Sequence, residues 1–229
     1  MRVEAVIPAF NEESSIAKVV AAIPRHCVNR ILVVDNNSTD HTAEMARKAG
    51  AEVVFESVRG YGSACWRGAS EAAQADIILF LDADFSDNPA EIPLLLQPIE
   101  ENQADLTIGS RTIGQREKGA LPLHALFGNR LACFIIRWLF GYRFTDLGPF
   151  RAIRADSLKQ LNMQDRGYGW TVEMQVKAVK MGLRCREIPV TYRKRIGRSK
   201  ISGTIGGSVK AGIRILWTIF HAKFRWENS

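Results

Sequence analysis

Ile77-Ile78-Leu79-Phe80-Leu81-Asp82-Ala83-Asp84 is the stretch on which the reading of this chain turns. A short apolar run bounded by turn formers reads as a strand buried on both faces, the kind found in parallel sheets. In extended chain, residues two apart project to the same side, so Asp82 and Asp84 face one small volume. Two like charges held together are unfavourable unless a cation or hydrogen-bond donors lie between them. Oxygen ligands of this kind suit Mg²⁺ or Mn²⁺, which commonly bridge to substrate phosphates rather than sitting in a full protein cage. The following Ser86-Asp87-Asn88-Pro89 is also rich enough in turn formers for the two aspartates simply to open a surface turn.

Outward from this segment, strand-like and helix-like runs alternate. Residues 3–7, 31–34, 53–55 and 106–108 read as further strands, and 12–22, 63–74 and 90–101 as helices. Another helix runs to about residue 49, with Ser38 or Thr39 as its cap and Gly50 as its stop. This alternation predicts an α/β fold with a doubly wound, mostly parallel sheet. Ligands bind such sheets outside the carboxyl ends of the strands. The polar clusters after Ile7, Val34 and Leu81 all fall there. Beyond Gly114 the alternation breaks down. Residues 121–140 are apolar on a broad helical face, 146–151 read as a loop, 172–181 as a helix and 187–192 as a strand.

The 229 residues give room for one substantial core, and 46% hydrophobic with 24% charged residues excludes a disordered chain. A net charge of +7 points to phosphate-bearing partners: nucleotides, nucleic acid or an anionic membrane. From Arg184 to Lys200 there are seven basic residues and one acid, Glu187. Cys27, Cys65, Cys133 and Cys185 are scattered, as in a reducing cytosol. No signal peptide opens the chain and no run reaches about 18 uninterrupted apolar residues, so it is expected to be cytoplasmic and to lie on a membrane at most. In the tail, Lys210, Arg214, His221 and Arg225 share one helical stripe, with Ile213, Leu216, Ile219 and Phe220 across from it. That pattern fits a helix in a lipid interface, or one docked on the core or a second subunit.

Taken together, the segments resemble glycosyltransferase family 2, and within it the polyprenyl- and dolichyl-phosphate sugar transferases, over roughly residues 3–204. The motifs recur in family order: Ile7-Pro8-Ala9-Phe10-Asn11-Glu12, Asp35-Asn36-Asn37-Ser38-Thr39-Asp40, Gly60-Tyr61-Gly62-Ser63-Ala64, Asp82-Ala83-Asp84-Phe85-Ser86, Gly109-Ser110-Arg111, the 146–151 loop and Gly197-Arg198-Ser199-Lys200. The resemblance implies a GT-A-type domain over 1–204, followed by an amphipathic helix at 205–229. It implies that Pro8, Phe10, Glu12 and Asp35 line the nucleoside pocket, helped by Gly60 and Gly62. Asp82 and Asp84 would hold Mg²⁺ or Mn²⁺ against the donor diphosphate, which Arg198 and Lys200 reach from the late loop. Arg111 and Arg130 would grip an acceptor phosphate, with Asp146 near the reaction centre. The chain departs from the pattern at Asn36, where an acid is usual, and at Ser86-Asp87-Asn88 behind the paired aspartates.

The expected reaction is a metal-dependent, inverting transfer from a UDP- or GDP-linked sugar to a polyprenyl phosphate, on the cytoplasmic face of a membrane. A phosphate acceptor needs no strong base; a hydroxyl acceptor would need one, and Asp146 is the candidate. Gly197 and Gly203 are candidate hinges of the late loop. A soluble transferase acting on a sugar or metabolite hydroxyl is one alternative, and a non-enzymatic nucleotide-binding module another. Nucleic acid is not expected as a partner, because no strand face interleaves aromatic and basic residues. Homo-oligomerisation is left open. Arg151 reads as a surface ion-pair partner; Glu173 reads as facing solvent, or as part of a stretch, 167–174, that resembles the family's acceptor-side helix.

Overall fold

The apolar run that opens the sequence reading is a strand with every residue buried, in the computed structural model, which describes residues 1–197 and 205–225. The chain order begins β1 (Val3–Ala9), α1 (Ile16–Ala22), β2 (Arg30–Asp35), α2 (Thr42–Lys48), β3 (Glu52–Phe55), α3 (Tyr61–Glu71) and β4 (Ile77–Phe80). It continues α4 (Ile92–Glu100), β5 (Leu106–Ser110), α5 (Leu123–Phe140), β6 (Arg151–Arg154), α6 (Ala155–Leu161), α7 (Trp170–Lys180), β7 (Cys185–Pro189) and α8 (Ile205–Arg225).

The strands form one sheet in the order β3-β2-β1-β4-β6-β5-β7. All neighbours pair in parallel except β6, which runs antiparallel to both β4 and β5. The mostly parallel, doubly wound expectation therefore holds, with one reversed strand. Arg151-Ala152-Ile153-Arg154 gives no apolar run to announce that strand. The strand period of two splits the core into two layers. Val6, Leu32, Val34, Ile78 and Phe80 face the layer completed by α3, α5 and α7. Ala5, Ile7, Ile31, Val33, Ile77 and Leu79 face the layer completed by α1 and α4.

Several local expectations shift for tertiary reasons. Ser38 and Thr39 do not cap α2. Ser38 Oγ instead accepts from the Asn11 N–H at 3.0 Å, and the Thr39 N–H donates to Asn11 Oδ1 at 2.8 Å, tying the β1 and β2 exits together. Arg151 is not on the surface. It is fully buried, and its guanidinium donates to Thr171 O at 2.9 Å, to Gly148 O and to Gln175 Oε1 at 3.2 Å. Burial pushes it down to about 10, still protonated at neutral pH. Glu173 is likewise buried, paired with Lys177 at 2.7 Å and accepting the backbone N–H groups of Gln164 and Asp165.

α8 docks: Ile219 and Ala222 enter the core layer shared with α5 and α7. Arg214 is not part of a free basic stripe, because it pairs with the buried Asp165 at 2.7 Å. Ile213, Trp217 and Phe220 face outward. The side chains of Lys210 and Arg225, with Arg198, Lys200 and Gly203, lie outside the described residues.

Arg151→Met strands several buried carbonyls at once. Its unfolding free energy is expected to fall by roughly 2–4 kcal/mol, read as a lower urea midpoint at unchanged denaturant slope.

Candidate active site

From β1 the chain winds outward to β2 and β3, then returns to the other side of β1 as β4. A crevice opens outside the carboxyl ends of strands where the order reverses in this way. It encloses about 560 Å³, with walls from Pro8 near the end of β1, Phe10 and Glu12 beyond it, Asn36 after β2, Arg59 to Tyr61 at the start of α3, and Arg195. Asp82, Ala83 and Asp84 line it from the end of β4.

Three acids gather at that end: Asp84 and Asp87 are buried and Asp82 is half-buried. Burial and then the neighbouring charge of Asp84 push Asp82 up to about 7. Burial, followed by the charges of Asp82 and Asp84, pushes Asp87 well above the usual carboxylate range. Asp87 Oδ1 is buried without a hydrogen-bond partner. The backbone here is forced. Phe85, immediately behind the pair, sits at φ 63°, where a bulky L-residue is strained by about 1–2 kcal/mol. The counter-charge comes from far along the chain: Arg195 bridges Glu12 at 2.7 Å and Asp84 at 3.1 Å.

This oxygen-only donor set suits Mg²⁺ or Mn²⁺ held by one or two carboxylates, with substrate phosphates completing the shell. Among the described residues no three His, Cys, Asp or Glu side chains are arranged to hold a metal ion by themselves. A raised, crowded acid pair and an orphaned carboxylate oxygen are what a divalent cation would relieve, so the residues fit such an ion.

The loop over the crevice depends on Asn36. Its amide donates to Glu56 O at 3.0 Å and Val58 O at 2.8 Å, and accepts the Gly60 N–H at 2.8 Å. An ionised acid could make only the last of these bonds. The departure from the family's acidic pattern is thus matched by the partners around it. Gly60 and Gly62 are required for close approach, since a Cβ at either would come within 2.2 Å of a backbone oxygen of Arg166 or Asp165. Arg59 stacks on Phe10, 3.3 Å from the ring centre.

Arg111 and Asp146 form a second centre, outside the lining of the crevice. Asp146 accepts from Arg111 through the backbone N–H at 2.7 Å, Nε at 2.8 Å and Nη2 at 2.6 Å. Burial disfavours both charges, but each partner outweighs it, holding Asp146 below its usual range and Arg111 well above its own. The loop is clamped from three directions. Glu187 accepts the Thr145 and Asp146 N–H groups at 2.9 Å, Asn129 bonds Thr145 O and the Leu147 N–H at 3.0 Å, and Gln175 donates to Asp146 O at 3.0 Å.

The structure therefore brings Pro8, Phe10, Glu12, Gly60, Asp82 and Asp84 to one crevice. Asp35 is not among the lining residues but precedes Asn36, which is; it is buried and accepts the Ser38 N–H at 3.1 Å. Gly62 packs behind the lining and donates its N–H to Gly167 O. Arg130 is exposed on α5, beside the clamping Asn129. Sequence reasoning missed Arg195, Arg59 and Asp87. The density of basic residues around 193–195 was the available signal for the first.

A mostly parallel sheet with a crevice at the acidic end of β4 is the architecture of GT-A-type glycosyltransferases. The Glycosyl transferase family 2 model matches residues 4–161, and the chain belongs to that family. An uncharacterized glycosyltransferase of Mycobacterium tuberculosis is 38% identical over 214 residues, covering 91% of this chain and 94% of that one. The undecaprenyl-phosphate mannosyltransferase of Micrococcus luteus is 30% identical over 245 residues, covering 100% of this chain and 97% of its own. Among solved structures, glucosyl-3-phosphoglycerate synthase of Mycobacterium tuberculosis, in complex with Mn²⁺, UDP-glucose and phosphoglyceric acid, superposes with a TM-score of 0.78. It is 22% identical and covers 96% of this chain and 79% of that one, a likeness of fold.

Asp82 sets a pH signature. Its pKa is raised from 3.8 to about 7 on folding, so its stabilising contribution is complete below about pH 4 and is lost as pH rises through 7. The metal-free protein is expected to melt lower at pH 8 than at pH 5. Asp82→Asn should shrink that difference, and Mn²⁺ should raise the melting temperature more at pH 8. Asn36→Asp is expected to weaken nucleotide-sugar binding about tenfold or more by calorimetry, because two loop carbonyls lose their donor.

Proposed function

We propose that this chain transfers a sugar from a UDP- or GDP-linked donor to a polyprenyl phosphate at the cytoplasmic face of a membrane, with inversion. The observation that carries the donor half is the acidic end of β4 opposite Arg195. Pro8, Phe10 and Arg59 offer apolar and stacking surface for a nucleoside, with the diphosphate directed toward Asp82 and Asp84. A divalent ion held by those two acids, when bound, offsets the charge that gathers on the departing diphosphate. Arg195 then turns from Asp84 to the phosphate oxygens, joined by Arg198 and Lys200 of the late loop.

The acceptor half draws on Asp146. Buried and committed to Arg111, that carboxylate is not placed to take a proton from a hydroxyl, which favours an acceptor that needs no base. A phosphate monoester, with a second pKa near ~6, is such a nucleophile. Its oxygen attacks the anomeric carbon, the carbon–oxygen bond to the diphosphate breaks, and the electron pair leaves with the nucleoside diphosphate. Asp146 holds Arg111 charged, and Arg111 and Arg130 bind the acceptor phosphate. The full-length likeness to an undecaprenyl-phosphate mannosyltransferase supports the same acceptor class. The 1–204 portion supplies the catalytic domain, and the helix that begins at Ile205 helps hold it at the membrane.

Radiolabelled UDP- and GDP-sugars, incubated with undecaprenyl phosphate in detergent and Mn²⁺, are expected to label an organic-extractable product. Chelation should abolish the transfer, Asp84→Ala should lower kcat at least about 100-fold, and Arg195→Ala about 10- to 100-fold. Label confined to water-soluble products across all donors would refute the acceptor assignment.

A further inference from the structure

α5 carries apolar surface on two opposite sides. Asn129, Ala132, Cys133 and Ile136 are buried against the body of the protein. Leu123, Phe127, Leu131, Phe134 and Trp138 are exposed, Leu123 to 84% and Trp138 to 73%. At about 100° per residue these five occupy an arc of about 80°, roughly opposite the buried set. Arg130 and Arg137 are exposed along one edge of that arc. α8, packed on α5, repeats the design. Thr218, Ile219 and Ala222 point inward, while Ile213, Trp217 and Phe220 are exposed.

A helix that is apolar on both sides needs a non-aqueous neighbour on the side the protein does not cover. We propose that the outer faces of α5 and α8 seat the protein on an anionic lipid surface, with α5 lying in the interfacial plane. This deepens the polyprenyl-phosphate reading and rests on it for the membrane's purpose. Charge selects the occupant. The edge of the arc is cationic, the chain carries +7, and α5 contains no acidic residue that could meet Arg130 and Arg137 of a second copy. Anionic headgroups supply that missing charge, and tryptophan and arginine are at home at the headgroup level.

Lying, rather than crossing, follows from the buried side. By length and composition α5 could span a bilayer, with a mean hydropathy of 1.2 over its 18 residues. Crossing would break the Asn129 bonds to Thr145 and Leu147 at 3.0 Å and strip Ala132, Cys133 and Ile136 from the core. Lying flat keeps these contacts and buries the outer arc.

The test is co-sedimentation of the full chain with phosphatidylcholine vesicles, with and without phosphatidylglycerol. Binding is expected to require the anionic lipid and to weaken with salt. Phe134→Glu combined with Trp138→Glu should lower partitioning at least about tenfold. Phe55→Glu, exposed elsewhere at 59%, should leave partitioning unchanged. An unaltered melting temperature and unaltered nucleotide-sugar binding establish that the double variant is folded; if it melts early, Phe134→Gln alone carries the same comparison. Wild-type protein left in the supernatant overturns the proposal, as does a folded variant that binds as wild type does. So does a dimer, seen by sedimentation velocity without vesicle binding, that the variant dissociates. Transfer to undecaprenyl phosphate in detergent reads the acceptor separately: vesicle binding without transfer defeats only the function proposed above, and transfer without vesicle binding defeats only this seat.

Discussion

Three carboxylates crowded at the end of one buried strand are the constraint around which the rest of the site is arranged. Asp82, Asp84 and Asp87 cannot all hold their charge in so dry a place, and two of them are pushed upward as a result. The fold answers with Arg195, carried in from the far end of the chain to bridge Asp84 and Glu12. Such an arrangement is poised for exchange, because a cation or a phosphate can take over partners that already stand in place. The strained backbone at Phe85 belongs to the same compromise, since the turn must present acids to the crevice and then return to the sheet.

A second network rigidifies the neighbouring loop. Glu187 from β7, Asn129 from α5, Gln175 from α7 and Arg151 from β6 all bond backbone groups of residues 145–148. Each contact satisfies a buried polar group whose loss of water would otherwise cost free energy. Their combined effect is to fix Asp146 against Arg111. Both Asp146 oxygens accept from Arg111. On the function proposed above, that commitment makes the carboxylate a positioning partner of a guanidinium rather than a base.

The antiparallel β6 makes this possible. Inserted between β4 and β5, it brings Arg151 alongside Phe80 and places the loop before it near the acidic strand end. Nothing in Arg151-Ala152-Ile153-Arg154 suggests an interior strand, because burial of the first arginine is repaid only by carbonyls from distant elements. Local patterning could not anticipate those partners. Glu173 is hidden from sequence reasoning for the same reason, its neutralising Lys177 and two backbone donors becoming relevant only once α7 is packed.

By itself the sequence determined the parallel αβ frame, the strand ends at Ile7, Val34 and Leu81, and the acids and glycines clustered there. Those features are local: apolar period, turn formers and spacing act within a few residues, and the motif order carries the family. Tertiary structure alone decided which charges meet, that Arg195 stands against Asp84, that Asn36 holds a loop an acid could not, and that α5 keeps apolar surface on both sides. Each of these depends on chain segments tens of residues or more apart being brought within a few ångströms. Burial then sets the energetic weight of every charge it encloses, and burial is a property of the packed whole.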